Sequence, residues 1–414
     1  MRVVGRGAVL LTAIAGAAIV VLRRPDAVLH AQFWAEDGPL WFGQAWNGGS
    51  LHALTTSYSG YLQTLPRLLA LPAVALGLRH APLLFNASAI AIQVAPAVFF
   101  VSNRCESLVP RRSVRVLVAF LYLLLPNGEI NANITNAQWH LALLAFLVIV
   151  ARRPRSRWAR ALDCIVVAVS CLSGPFCLVL VPVAAAWWWR RRGNGMLWLG
   201  SAATAATAIQ VAALLLSTRP SPPHLGASIG GAMVIFANRV VLAGSFAQDQ
   251  APFLLADSGR SNALWAIPVT IVGIGVLGTT LLRGPLSLRL FVLAAGVVML
   301  GGMLDARQDP GQPPLWRGMA TPPFGGRYIF MMEVAWMVSV IWVASRLPRP
   351  RIRILGVTAA CTCFVSGVAI HWSYAPYADL HPERYASQLE RAGRGTIVTV
   401  PLNPPGWTVT LVAH

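Results

Sequence analysis

The chain contains no lysine and has little charge of either sign. Of its 414 residues 11% are charged, with 14 acidic groups against 33 basic ones, all arginine. Soluble domains carry roughly 25% charged residues. This chain therefore lacks the polar surface to cover a water-soluble globule of its size. It has no Walker pattern and no glycine-rich strand-to-helix turn, which removes the usual nucleotide cradles. No basic stripe with interleaved aromatics accompanies the net charge of +19, so nucleic acid is not the implied partner. The cysteines Cys105, Cys164, Cys171, Cys177, Cys361 and Cys363 show no zinc spacing, and most sit in apolar runs as small buried residues. No internal repeat is visible, so the inverted-repeat signature of many transporters is missing.

What the chain does have is hydrophobicity in long runs. The hydrophobic share is 56% and the mean hydropathy is +0.61. Runs such as Met196–Leu216, Ala263–Leu282 and Leu290–Leu304 hold few or no charges, and about 18 such residues read as a membrane-spanning helix. Barrel strands are shorter and alternate, so the fold class expected is all-α, a polytopic transmembrane helical bundle. Spans are expected at 8–22, 83–101, 114–126, 138–151, 161–172, 176–189, 196–216, 263–282, 289–304, 328–345 and 354–371. That gives about eleven, within a range of about ten to thirteen. Tyr61–Leu78 and Met233–Phe246 either span or lie in the interface as amphipathic helices. The first run resembles a signal peptide in length, but Arg23-Arg24-Pro25 follows it instead of a small-residue cleavage site, and it reads as a retained span.

Arginine clusters set the sides. Those at 104–115, 152–160, 190–192, 283–289 and 346–353 are assigned to the cytoplasm, with the N-terminus beside them. Asp26, Glu36, Asp37, Glu129, Asp249, Asp257, Asp305, Asp309, Asp379, Glu383 and Glu390 then fall outside. Glu106 and Asp163 are exceptions, and Glu333 lies within a span. The expected organisation is a helical domain over 1–371 with outside loops at 23–60 and 305–327, and a short outside tail at 372–414. The first loop carries Trp34, Trp41, Phe42 and Trp46, with interfacial helices expected near Pro39–Trp46. The second is long enough for a functional lid. The tail is too short for an independent core, and 395–411 alternates like a small hairpin packed on the rest.

Four outside motifs carry chemistry. In Phe33-Trp34-Ala35-Glu36-Asp37-Gly38, adjacent carboxylates follow the first span. Asp37 is the expected base and Glu36 the positioning or metal-binding residue, since a carboxylate against an apolar wall gains basicity. The alternative is that Asp37 caps the helix starting near Pro39. Near Ser59-Gly60-Tyr61-Leu62, Arg67 offers a fork for phosphate oxygens, or snorkels to headgroups. The polar run Asn131–Asn136 leads into Gln138, Trp139 and His140 at the mouth of a span. Amides and an indole suit sugar hydroxyls, and His140 suits phosphate. Helix-end hydrogen bonding and an aromatic belt explain the same residues. Gly325-Gly326-Arg327-Tyr328 opens the span holding Glu333, where a helix N-terminus favours an anion. Glu333 is a functional candidate or the partner of an internal arginine. The break Ser173-Gly174-Pro175 belongs to the same side.

Without a nucleotide site, an outward-facing transferase draws on a donor already in the membrane. These motifs, led by Glu36-Asp37, the aromatic segment after them and Arg327-Tyr328, resemble the GT-C superfamily of integral-membrane glycosyltransferases. The resemblance implies a polyprenyl-phosphate sugar donor, a glycan or lipid acceptor and an acidic residue in the first loop. Read from the residues, donor phosphate is expected on Arg327, Arg67 and His140, and sugar or acceptor on Tyr61, Asn136, Gln138, Trp139, Tyr328 and Glu333. A divalent metal (Mg or Mn) would find candidate ligands in Glu129, His140 and Asp305. The setting expected is the bacterial plasma membrane and cell-envelope synthesis. A transporter or lipid-linked glycan flippase, and a glycan ligase or polymerase, are the alternatives.

Overall fold

The computed structural model describes residues 2–191, 197–217, 224–247, 263–305, 314–320 and 324–414. Among them the chain is an α-helical bundle with a single small sheet. Seven helices are long and apolar enough to cross a membrane: Thr64–Val101, Leu197–Leu216, Ile229–Phe246, Ala266–Arg283, Leu286–Asp305, Gly326–Ala344 and Pro350–Ile370. Shorter apolar helices run over Gly7–Arg23, Ala137–Val150 and Cys177–Arg190. Leu10, Leu215, Leu282 and Leu355 stand exposed on the bundle, as side chains facing lipid tails do.

The expected spans coincide with observed helices to within a few residues at most ends. Two segments left open are now placed. Tyr61–Leu78 falls mostly in the helix Thr64–Val101, which breaks at Gly77 (φ 72°, ψ 172°), a conformation that favours glycine. Met233–Phe246 lies in the helix Ile229–Phe246, whose middle is π-helical. Its start packs against Trp316, and its Arg239 Nη1 donates to the carbonyls of Met319 (3.4 Å) and Phe324 (3.0 Å). Its end lies against Gly367, near the close of Pro350–Ile370. Along its length Phe236 and Val241 lie against Gly273 of Ala266–Arg283, and Ser245 accepts from Trp336 Nε1.

One rim of the bundle collects the first loop, the turns 124–136 and 172–176, the start of Gly326–Ala344 and the segment from 371 onward. The opposite rim holds the arginine-rich turns, where Arg104 grips Asp163 with both Nη1 (2.6 Å) and Nη2 (2.7 Å).

Ala137–Val150 is the central helix, buried at every residue but Leu147. With 14 residues it rises only about 21 Å, short of the roughly 30 Å hydrocarbon layer. Its partner Arg112–Leu123 is shorter still, at 12 residues. The turn joining them therefore sinks into the protein, and Asn131, Ala132, Asn133 and Ile134 are all buried. Irregular backbone at that depth must find partners inside the protein. Arg23 Nη1 donates to the carbonyls of Leu124 (3.0 Å) and Leu125 (2.9 Å), and Gln93 Oε1 accepts from Ala132 N (3.0 Å).

Above this turn lies a layer built from both ends of the chain. The strands Ile397–Leu402 and Trp407–Val412 form the hairpin expected from the alternation. It packs on the first loop: Asn47 Nδ2 donates to Thr410 O (2.7 Å), Trp46 Nε1 to Val412 O (2.8 Å), and Ala35 N to Asn403 O. Leu402 and Val409 fill the space beside Gly38 and Gly43, where a Cβ would collide with them. The loop expected as a lid is described only at 305, 314–320 and 324–327; its remaining residues, with Asp309, lie outside the described residues, as do Asp249 and Asp257.

Candidate active site

The first loop separates its two carboxylates. Ala35 takes φ 45°, uncommon for a residue with a Cβ, and Glu36 and Asp37 leave it facing different partners. Asp37 is fully buried. Its Oδ1 accepts from the Thr135 hydroxyl (2.6 Å) and backbone N (3.1 Å), and its Oδ2 accepts from Trp34 N (3.1 Å). Burial pushes its carboxyl up to about 7, against hydrogen bonds that favour the charged form. Asp37 was the expected base. With no exposed surface and both oxygens engaged, it is instead the clamp between the first loop and the 128–136 turn. It also does not cap the helix from Pro39; it caps backward, onto Trp34 N.

Glu36 is the partly exposed member of the pair. Its Oε1 accepts from the Tyr58 hydroxyl at 3.1 Å. Tyr58 is presented by a two-residue turn, Ser59 (φ 53°) and Gly60 (φ 86°), that pairs it with Tyr61 across mutual backbone hydrogen bonds. The burial of Tyr58 and the negative charge of Glu36 raise its hydroxyl pKa.

Arg327 stands within electrostatic reach of Glu36 and Tyr58. Its Nη1 forms an ion pair with Glu129 Oε1, its backbone N donates to Glu129 Oε2 (3.0 Å), and its Nη2 donates to the Tyr328 hydroxyl (3.0 Å). Glu129 is in turn held through its carbonyl, which accepts from Asn133 Nδ2 (2.7 Å) and Asn136 Nδ2 (3.0 Å). Segments around 36, 58, 129 and 327 thus meet at one rim. A phosphate at Arg327 would share the guanidinium with the Glu129 carboxylate.

Arg67 is different. It is 1% exposed and belongs to no ion pair among the described residues. Its Nη1 donates to Gln44 Oε1 (3.0 Å), and its Cζ lies 5.1 Å from the Trp41 ring centre. Its Nε and Nη2 have no partner among the described residues. Those two N–H groups form one edge of the guanidinium, the fork that fits a phosphate or carboxylate in two parallel hydrogen bonds. Trp41 connects this fork to the carboxylates: its Nε1 donates to Thr135 Oγ1 (3.0 Å), and its ring meets Tyr58 edge-on at 5.6 Å.

His140 faces away from any phosphate. Its Nδ1 pairs with the Tyr122 hydroxyl (2.8 Å) and its Nε2 with Ile130 O (3.2 Å), so both ring nitrogens are engaged inside the bundle. Asn136 is likewise engaged, its backbone N donating to Asn133 Oδ1 (3.0 Å) while its amide holds Glu129. Gln138 and Trp139 lie beside Gly174 and Phe176, and Trp139 meets Tyr328 edge-on at 5.6 Å. The break at 173–175 thus borders the site. Glu333 is buried roughly two turns below Gly326.

Among the described residues no three His, Cys, Asp or Glu side chains gather as metal ligands. Of the candidate ligands, His140 is engaged within the bundle, Glu129 is tied to Arg327 and Glu36 accepts from Tyr58. Sequence reasoning missed Tyr58, Gln44 and Gln63, and named Trp41 only as an interfacial aromatic and Glu129 only as a metal candidate. Ser59-Gly60 between two tyrosines is the turn signal that could have pointed to Tyr58. Thr135 lay within the polar run, but nothing singled it out until it met Asp37 across the fold. Comparison with protein-family models, with curated proteins and with solved structures gives no match.

Proposed function

We propose that the chain is a GT-C-type membrane glycosyltransferase. It moves a sugar from a polyprenyl-phosphate donor to a glycan or lipid acceptor on the outer face of a bacterial plasma membrane. Eleven crossings follow if Ile229–Phe246 lies along the rim, which puts the N-terminus in the cytoplasm and the site outside. The arginine-rich turns then face the cytoplasm, as the positive-inside rule asks.

The observation that carries this reading is a division of labour at one rim: a partly exposed carboxylate at Glu36, and a buried guanidinium at Arg67 whose Nε–Nη2 edge has no partner among the described residues. Glu36 takes the proton of an acceptor hydroxyl as that oxygen attacks the anomeric carbon. The new carbon–oxygen bond forms as the bond from that carbon to the phosphate oxygen breaks. Polyprenyl phosphate leaves with the electron pair, and Arg67 holds its charge. Tyr58 and Arg327 orient Glu36. No step passes through a metal. A transporter would rely on Glu333, buried within a helix near the same site.

The test uses purified full-length protein in lipid nanodiscs, radiolabelled polyprenyl-phosphate sugars and membrane glycan acceptors. Glu36→Gln is expected to lower transfer about 100-fold or more while donor binding persists. Unchanged transfer by that variant overturns the proposal.

A further inference from the structure

Among the buried polar atoms without a hydrogen-bond partner in the described residues, besides the Arg67 fork, are Gln63 Oε1, Gln138 Oε1 and Trp139 Nε1. Their residues are 3%, 8% and 7% exposed. A buried polar atom is costly when nothing meets it. One orphan is unremarkable, but these three lie along one seam.

The seam is built by the 173–176 turn. Gln63 pairs with Ser173 in an isolated bridge, Ser173 Oγ accepts from Leu65 N (2.9 Å), and Gly174 N donates to Leu62 O (3.1 Å). Gly174 takes φ 112°, and a Cβ there would come within 2.9 Å of Gln138 Oε1. Glycine is thus required both for the turn and to leave the amide its room. Trp139 follows, its ring edge-on to Phe176 at 5.0 Å and to Tyr328 at 5.6 Å. The strip runs from the Arg67 fork to the Tyr328–Arg327 corner.

We propose that Gln63, Gln138 and Trp139 read the transferred sugar as a neutral one with free hydroxyls, hexose or pentose, and reject a uronate or a deoxy sugar. This rests on the glycosyltransferase reading. The two amide oxygens only accept and the indole N–H only donates. A hydroxyl does both, so sugar hydroxyls donate to Gln63 and Gln138 and accept from Trp139. A carboxylate only accepts; it would face two carbonyl oxygens and be repelled. A deoxy position leaves one amide oxygen buried and unmet. Sites that hydrogen-bond a hydroxyl discriminate strongly against analogues lacking it.

The test compares a polyprenyl-phosphate hexose with its mono-deoxy series and its hexuronate, bound to and turned over by the full-length protein in nanodiscs. Bare polyprenyl phosphate is the folding control, because it binds through Arg67. The hexose donor is expected to bind at least about tenfold tighter than the uronate and than one of the deoxy donors. Gln138→Leu and Gln63→Leu are expected to shrink that gap while bare polyprenyl phosphate still stabilises the protein. Equal binding of hexose, deoxy and uronyl donors overturns the inference and leaves the transferase reading standing. Selective binding without transfer to any acceptor supports the strip and sinks the transferase reading. If both leucine variants keep the full gap, the discrimination lies elsewhere and the inference falls.

Discussion

The two rims of the bundle use arginine in opposite ways. At the rim of the turns near 102–112, 151–157 and 345–353, Arg111, Arg153, Arg155, Arg349 and Arg351 stand exposed. At the other rim Arg23, Arg24, Arg67 and Arg239 are buried. Arg23, Arg24 and Arg239 donate to backbone carbonyls, and Arg23 and Arg24 also lie over the Tyr374 ring. Arg115 crosses the pattern, buried on the first rim and donating to the carbonyls of Val109 and Pro110. Arg79, Arg384, Arg391 and Arg394 cross it too, exposed in and beside the C-terminal layer. One population reports which side of a membrane a turn prefers. The other is structural, and Arg67 stands out within it because its fork has no carbonyl to hold.

Substitutions that treat the two populations alike test this contrast. Arg67→Met is expected to reduce transfer about 1000-fold and to abolish stabilisation by polyprenyl phosphate in thermal unfolding, whereas Arg153→Ala changes neither. Arg67→Lys keeps the charge but not the paired N–H edge, and recovers only part of the activity. Equal loss from Arg67 and Arg153 substitutions would erase the distinction.

A smaller effect is expected at Arg23, which serves the carbonyls of Trp372, Leu124 and Leu125. Arg23→Ala removes that donor from all three carbonyls and should cost about 1–3 kcal/mol in unfolding stability. Arg349→Ala, at the exposed rim, should stay within about 0.5 kcal/mol.

The acids extend the comparison. Asp163 has Arg104, while Asp37 has hydrogen bonds but no cation, and its carboxyl rises to about 7. Between an unfolded value near 4 and that raised value, the folded chain keeps a proton the unfolded chain gives up. Stability therefore falls as pH rises from about 4 to about 7, then levels. Asp37→Asn should flatten that slope, as read from unfolding midpoints across the window. An unchanged slope would assign the effect to another group.

Much of this fold was legible because bilayer thickness forces apolar runs of recognisable length. The helices Leu197–Leu216 and Leu286–Asp305 were visible on that ground alone. The course of Ile229–Phe246 was not legible, since its composition fits a span and an interfacial helix alike and its contacts with Trp316, Gly273 and Gly367 come only with the fold. In the site, carboxylates near 36–37 and the importance of Arg67 were readable from residue type and position. Which carboxylate faces the pocket was not, because it turns on the single dihedral at Ala35 and on Thr135, nearly a hundred residues away. The partners of Arg327 and His140 were hidden for a related reason: a side chain's chemistry is visible in sequence, but whether a neighbour has already claimed it is not.

The hydrogen bonds between Asn47 and the hairpin join positions separated by 363 and 365 residues. During synthesis the early loop must therefore wait until more than 360 residues have followed it before these bonds can form. A nascent chain halted before the hairpin would leave Gly38 and Gly43 without the Leu402 and Val409 side chains that cover them, so the order of translation itself delays when this layer can close.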